Sequence, residues 1–321
     1  MITCTAIRHR FGDRDALRDV TLHVPTGAVF GFIGPNGAGK TTTIRVLATL
    51  LAPTAGTATI DGLDVVEHAA EVRRRVGYMP DNAGVYERIT AGEYLDFFAS
   101  ACGIAPAKRA RTVADAVELT EIGHLLPREV MALSKGQRQR LLLARTLLHD
   151  PRVLILDEPA SDLDPRARIE LRMLLTELAR MGKTIFLSSH ILTELADICS
   201  HVGIIEAGRV VAHGPIDAVQ AARRPGRRVT LTVLGHADRV EASVKRFTFV
   251  QSVTALGEPE EAGPRRFELS FEGDDWRLSE LVAAVVAAGV PVVAVEPERR
   301  DLERLFMDLT VGAQGNPTEG G

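Results

Sequence analysis

The stretch GPNGAGKTT, Gly34 to Thr42, carries the residue types that cradle a chain of phosphates. Gly34, Gly37 and Gly39 let the backbone turn so that successive N–H groups face one way, and the helix start behind them adds its own. Pro35, Asn36 and Ala38 fill the loop between the glycines. Lys40 is placed to reach the β- and γ-phosphates, and Thr41, with Thr42 beside it, offers a hydroxyl to Mg²⁺. A second run, LILDEP, supplies carboxylates. An aspartate ending a buried strand is expensive unless it has a task. Asp157 can hold the magnesium shell, directly or through water, and Glu158 at the strand's exit can orient or deprotonate an attacking water. His190 ends a third apolar run, FLSSH, where an imidazole can hydrogen-bond the γ-phosphate or the water that replaces it. Most histidines at strand ends do nothing chemical, so its weight comes from its place after LILDEP and one crossover helix. The sum is hydrolysis of a nucleoside triphosphate. The guanine-reading pattern N-K-x-D is absent, which favours ATP. One polar helix start is left over, ALSKGQRQRL (Ala132–Leu141), suited to an anion but far from the glycine loop.

The elements that must position these groups alternate. GAVFGFI is a short apolar run leading into the glycine loop, and TTTIRVLATLL after it has helical spacing. RVLILDEP and KTIFLSSH read as buried parallel strands. Between them Ile169, Met173, Leu174 and Leu178 recur at helical spacing, and VGIIEAGRVVAHG reads as two strands around a turn at Ala207-Gly208. The pattern is mostly helical from Tyr86 to Leu148, which predicts a helical subdomain at about 86–150 inserted before LILDEP. An α/β domain is expected over 1–223, with a boundary near AARRPGRR. The order βαββαβ over 224–310 predicts a small ferredoxin-like α+β domain, closed by a helix DLERLFMDLT, with a disordered tail at 311–321. The longest apolar stretch, Leu281 to Val295, is too short to span a bilayer and is broken by Gly289 and Pro291; it reads as a core helix, a turn and a buried strand.

The chain of 321 residues is 45% hydrophobic and 25% charged, ordinary for a soluble globular protein, and its net charge of −4 argues for no nucleic-acid partner. Basic runs such as EVRRRVG and ARRPGRR read as solvated faces. Cys4, Cys102 and Cys199 have neither metal nor redox spacing, which fits a reducing compartment. No export segment is seen at the start.

The order GPNGAGKTT, VGYMPD, LSKGQRQR, LILDEP…SDLD, FLSSH resembles the ATP-binding subunits of ABC transporters, a branch of the P-loop NTPases. It covers Met1 to about Arg223, and LERLFMDLT extends it to the terminal helix of ATPases paired with separate exporter-type permeases. Drug and antibiotic self-resistance exporters belong to that group. The resemblance implies two ATPase domains packed head to tail, either a homodimer or a pair with a similar subunit, around two ATPs with magnesium. Ser134, Gly136 and Gln137 would then face the γ-phosphate held by the partner's Lys40, and Asp164 would lie at the seam. Phe11 matches the aromatic that stacks on adenine, although a core phenylalanine would look the same. Val85, Tyr86 and Ile89 match the loop that meets a permease, although an ordinary loop packing its own apolar groups would also look the same. The implied place is the cytoplasmic face of the membrane, held peripherally by an integral membrane permease, with small-molecule export as the task.

Three positions depart from the family pattern. Asp81 stands where glutamine is usual; it can still bind magnesium, directly or through water, but brings a charge and no donor. Lys135 and Asp162 replace glycines in the signature and in SDLD. Two other readings remain open: an ABC-type ATPase that regulates a membrane or soluble complex without moving solute, and a module that holds ATP without hydrolysing it. In the C-terminal domain, SVKRFTFV and RRFELSF fit a ligand site, a dimer brace or a folded cap, with the brace preferred. Trp276 fits a recognition surface or the anchor of its helix.

Overall fold

Alternation of apolar and polar residues builds the first two strands, β1 (Ile2–Phe11) and β2 (Arg14–Val24), which bury Ile2, Cys4, Ile7, Leu17, Val20, Leu22 and Val24. The computed structural model describes residues 1–81, 84, 88–161, 163–190, 198–221, 227–257 and 264–297. The chain divides into two compact units, one comprising Met1–Val219 and the other Gln220–Asp301.

In the first unit β3 (Val29–Ile33) leads into α1 (Lys40–Leu47), followed by β4 (Ala55–Ile60), β5 (Leu63–Asp64), α2 (Ala69–Arg75) and β6 (Val76–Met79). Three helices come next: α3 (Ala91–Ala101), α4 (Pro106–Thr120) and α5 (Lys135–Leu147). Then follow β7 (Val153–Leu156), α6 (Pro165–Arg180), β8 (Thr184–Ser189), β9 (His201–Glu206), β10 (Arg209–Pro215) and α7 (Ile216–Ala221). Among the described residues the strands form one ten-stranded sheet in the order β5-β4-β1-β2-β10-β9-β3-β8-β7-β6. The run from β9 to β6 is parallel, and the β1–β2–β4 part is antiparallel.

The parallel strands are covered on both faces, which is why they read as unbroken apolar runs. Val153 and Ile155 of β7 join one core with Phe30, Phe32 and Phe186, whereas Leu154 and Leu156 join another with Leu143, Leu171, Leu175 and Leu178. Phe30 and Phe186 stack at 5.4 Å between ring centroids. The expected turn between β9 and β10 is present, with Ala207 and Gly208 both left-handed.

One helix differs from its sequence reading. On α6 the core face is Leu171, Leu175 and Leu178, while Ile169 and Met173 are 55% and 69% exposed. Two apolar stripes with helical spacing overlap in this segment, and periodicity alone does not choose between them.

The helical subdomain has its own core, built on Tyr94, Leu95, Ala99, Val117, Leu125 and Leu141. A capping box starts α3: Thr90 Oγ1 accepts the Glu93 N–H, and Glu93 Oε2 accepts the Thr90 N–H at 2.8 Å. Ile89 is half-buried against this core. Val85, Tyr86 and Asp162 lie outside the described residues, as do DLERLFMDLT and the tail.

The second unit is the expected βαββαβ: β11 (Arg227–Val233), α8 (Ala237–Val244), β12 (Val250–Leu256), β13 (Arg265–Phe271), α9 (Asp275–Ala287) and β14 (Val292–Pro297). Its antiparallel sheet runs β12-β13-β11-β14, the ferredoxin-like order, around Val229, Leu231, Phe267, Leu269, Leu281 and Val285. β14 is an edge strand with Val293 exposed, so the buried strand expected there is only half-buried. Nor does Trp276 anchor its helix. Its indole is 81% exposed, and Asp274 caps α9 by accepting the N–H groups of Trp276 and Arg277.

Burial pushes the thiols of Cys4 and Cys199 up to about 12 and raises that of Cys102 as well, but Cys102 is the exposed one of the three, with Cys199 half-buried and Cys4 fully buried. Ellman's reagent should therefore titrate about one thiol quickly in the native protein, and all three after denaturation. Fast reaction of Cys4 in a mass-mapped digest would contradict this packing.

Candidate nucleotide-binding site

Glycine is required where the loop after β3 passes closest to β9. A Cβ on Gly34 would lie 2.3 Å from the Ile205 carbonyl oxygen. Gly34→Ala should cost about 1–3 kcal/mol by overpacking, seen as a lower urea midpoint. An unchanged midpoint would mean that the loop can move away. Gly37 and Gly39 are left-handed, and Gly39 is the N-cap of α1, whose first turn holds no acidic residue. Pro35 O accepts the Ala38 N–H at 3.1 Å, and the buried Ala38 in turn accepts from Gly208, so the loop rests on the β9–β10 turn.

All the catalytic candidates emerge at one edge, the carboxyl ends of β3, β6, β7 and β8. In open α/β sheets this is where ligands bind. A cleft of about 1110 Å³ lies there, lined by Asn36, Gly37, Gly39, Lys40, Thr41 and Thr42 from the loop and by Asp81, Glu158 and His190 from the other strand ends. Phe11, at the tip of the β1–β2 hairpin, lines the same cleft; it is 49% exposed and packs edge-on against His9. It is therefore not a core phenylalanine.

Glu158 sits at the centre of these groups. Its Oε1 lies 3.2 Å from Lys40 Nζ, which also donates to the Gly34 carbonyl at 2.7 Å. Its Oε2 lies 2.9 Å from His190 Nδ1. A carboxylate only accepts, so Nδ1 carries the proton and Nε2 is left as the other polar atom of the ring. Asp157 lies behind and is 1% exposed. Burial raises its carboxyl above the usual range; hydrogen bonds from Ser188 and Thr41 oppose this, and the charges of Glu158 and Asp81 add to it. A cation at this point would relieve that accumulation of negative charge. No cluster of three His, Cys, Asp or Glu able to hold a metal occurs among the described residues. Magnesium does not need one, because it keeps several waters and binds through one or two carboxylates and phosphate oxygens.

Four candidates, Ser134, Gly136, Gln137 and Asp164, stand apart from the cleft. Ser134 is the N-cap of α5 and forms a capping box with Gln137: Ser134 Oγ accepts the Gln137 N–H at 3.3 Å, and Gln137 Oε1 accepts the Ser134 N–H at 3.0 Å. Gly136 keeps α5 close to α6, since its Cβ would lie 3.3 Å from that of Ala167. Asp164 caps α6 through the Ala167 N–H. Neither Ser134 nor Asp164 lines the cleft of its own chain.

Two residues of the site escaped the sequence reading. Gln139, buried in α5, donates from Nε2 to the Pro159 carbonyl at 2.8 Å and ties that helix to the turn after Glu158. Ser188 is buried in β8 against Asp157. Ser188 inside the apolar run TIFLSS was an available signal; Gln139, in the polar stretch QRQR before LLLARTLL, gave none.

The ABC transporter family model matches residues 17–161. The daunorubicin resistance ATP-binding protein DrrA3 of Streptomyces coeruleorubidus is 34% identical over 310 residues, covering 96% of this chain and 95% of that one. The chain belongs to the ABC transporter ATP-binding proteins. The ABC transporter ATP-binding protein NatA of Bacillus subtilis is 37% identical over 229 residues, 70% of this chain and 93% of its own. A solved ATP-binding subunit of an ABC transporter superposes with a TM-score of 0.63 at 30% identity, over 69% of this chain and 92% of that one. The dimeric structure of MJ0796, a bacterial ABC transporter cassette, shares the fold, with a TM-score of 0.61 at 23% identity over 67% of this chain and 99% of that one. This ABC subunit therefore binds ATP and is an ATPase. Among its described residues no helix is long and apolar enough to cross a membrane.

Proposed function

We propose that this subunit hydrolyses MgATP within a head-to-tail dimer and drives export of a small molecule through a separate membrane permease. The observation that carries the hydrolytic reading is the placement of Glu158 between Lys40 and His190, with Asp157 behind it. In this reading the triphosphate runs along Gly34–Thr42 and the adenine stacks on Phe11. Thr41 and Asp157, with Asp81 directly or through water, would hold magnesium. Bound there, the metal supplies charge neutralisation to the β- and γ-phosphate oxygens. Lys40 exchanges the Glu158 carboxylate for those oxygens, which frees Oε1 to accept a proton from water. The water oxygen attacks the γ-phosphorus, the bond to the bridging oxygen breaks, and ADP carries away the electron pair. His190 holds Glu158 from the far side through Nδ1.

The dimer is supported by the position of Ser134. Its hydroxyl and the start of α5 suit an anion, yet they stand away from their own chain's cleft. Export is supported by the likeness to DrrA3, a daunorubicin resistance protein, and to the bacitracin transport protein BcrA of Bacillus licheniformis, 37% identical over 70% of this chain. The test is a mild-detergent pull-down of the full chain from its native membranes, together with a phosphate-release assay. One co-purifying polytopic protein that stimulates MgATP hydrolysis is the expected result. A soluble ATPase without such a partner, with ATP or without it, would overturn the transport reading.

A further inference from the structure

Ser188 lies in β8 with no exposed surface, among Ile185, Phe186 and Leu187. A hydroxyl there is costly unless both its donor and its acceptor capacity are used. Both are used, on two consecutive residues of the neighbouring strand end. Ser188 Oγ donates to Asp157 Oδ1 at 2.7 Å and accepts the N–H of Glu158 at 2.9 Å. Ser188 itself does not line the cleft.

The backbone at Glu158 explains why such a clamp matters. Its φ is 49°, a left-handed conformation that residues with a Cβ avoid. At this point the chain has left β7, so the Glu158 N–H has no place in the sheet ladder, and Ser188 supplies its acceptor. The carboxylate is then held from two sides, by Lys40 at 3.2 Å and by His190 at 2.9 Å. With that φ the side chain reaches both groups at once.

We infer that Ser188 is a positioning residue for hydrolysis, whose hydroxyl locks the Asp157–Glu158 turn so that the Glu158 carboxylate faces the phosphate end of the cleft. The inference rests on the reading of Glu158 as the residue that activates water. It predicts that shape without a hydroxyl fails at position 188, and that a hydroxyl with added bulk suffices.

Threonine and valine make the matched pair, since they differ by a hydroxyl against a methyl. The experiment compares the full-length wild type with Ser188→Thr, Ser188→Val, Glu158→Gln and the double variant Ser188→Val/Glu158→Gln. Ser188→Val should lower kcat by about 5- to 100-fold, the effect of leaving one buried donor unpaired. Its binding of a fluorescent ATP analogue in EDTA should stay within about 2-fold, because the phosphate loop is untouched and Asp157 then has no metal to hold. Ser188→Thr should return kcat to within about 3-fold of wild type. Hydrogen exchange in a peptide spanning Leu156–Pro159 should speed up in the valine variant and not in the threonine variant. In the Glu158→Gln background the valine change should add no further loss, because both act on one group.

Equal rates for Ser188→Val and wild type, beside a crippled Glu158→Gln, would overturn the positioning role alone. So would a valine effect that multiplies with Glu158→Gln, or equal loss of rate and nucleotide binding in both position-188 variants. A wild-type rate in Glu158→Gln would instead overturn the underlying reading of the base.

Discussion

Replacing Glu158 by glutamine should lower ATP hydrolysis about 10²- to 10⁴-fold, the usual contribution of a positioned general base, and leave ATP binding intact or tighter. Each oxygen of this carboxylate has its own partner. Oε2 faces the Nδ1 proton of His190, and an amide oxygen can still accept that proton, in a weaker bond without the charge. Oε1 faces the Lys40 ammonium, which keeps the Gly34 and Pro35 carbonyls as acceptors when the charge is removed. The side chain therefore retains its shape and its contact with His190, while its NH2 replaces the acceptor that faced Lys40, so that two donors are opposed there. It also loses the basic site that would take a proton from water. Lys40 also loses its one carboxylate partner among the described residues, so phosphate oxygens meet no competitor for it. That same loss leaves a buried ammonium less compensated, and the variant should melt lower than wild type until ATP is added. Single-turnover phosphate release, fluorescent-nucleotide titration and thermal melts with and without ATP measure the three effects. A near-wild-type turnover would remove Glu158 from the chemistry.

The glycine loop and the two carboxylates were legible because their constraints are local. A loop that must turn between a strand and a helix needs glycine at fixed offsets, and an aspartate ending a buried strand needs a partner. The ferredoxin-like unit was legible for a similar reason, since β11 alternates cleanly and the apolar positions of α9 recur at helical spacing. The misreadings arose where the deciding contact is distant in sequence. Ile169 and Met173 repeat at helical spacing as well as Leu171 and Leu175 do, and only the position of β7 and β8 decides which pair faces inward. Val293 sits in an apolar run, but exposure follows from β14 being last in its sheet, which is a property of topology. Trp276 invited the role of an anchor by its size, whereas a carboxylate two residues earlier caps that helix. Ser188 and Gln139 acquire meaning only when Asp157 and Pro159 are brought beside them from 31 and 20 residues away.

Mixing two inactive variants should restore hydrolysis, because the groups proposed to meet one ATP are divided between two surfaces of each chain. Lys40 lines the cleft, while Ser134 stands at the exposed start of α5 and does not line it. Lys40→Ala removes the cation for the phosphates. Ser134→Glu puts a negative charge where a partner's γ-phosphate would approach. Glutamate near the N-terminus of α5 is compatible with the helix dipole, although losing the Ser134 cap should still cost about 1 kcal/mol. Each variant alone should fall to about 1% of wild-type turnover or below, the scale set by losing one essential electrostatic contact. In a mixed dimer one site combines both lesions, and the other pairs an intact Lys40 with an intact Ser134. Random reassortment of equal amounts makes half of the dimers mixed, each with one good site, so recovery to about a quarter of wild-type turnover is expected if the sites work independently. A site completed within one chain would give no recovery at any mixing ratio. Titrating a fixed amount of Lys40→Ala with rising Ser134→Glu separates the cases. Activity should climb from near zero, pass through a maximum in turnover per total subunit near equal amounts, and fall as the mixture becomes dominated by either parent.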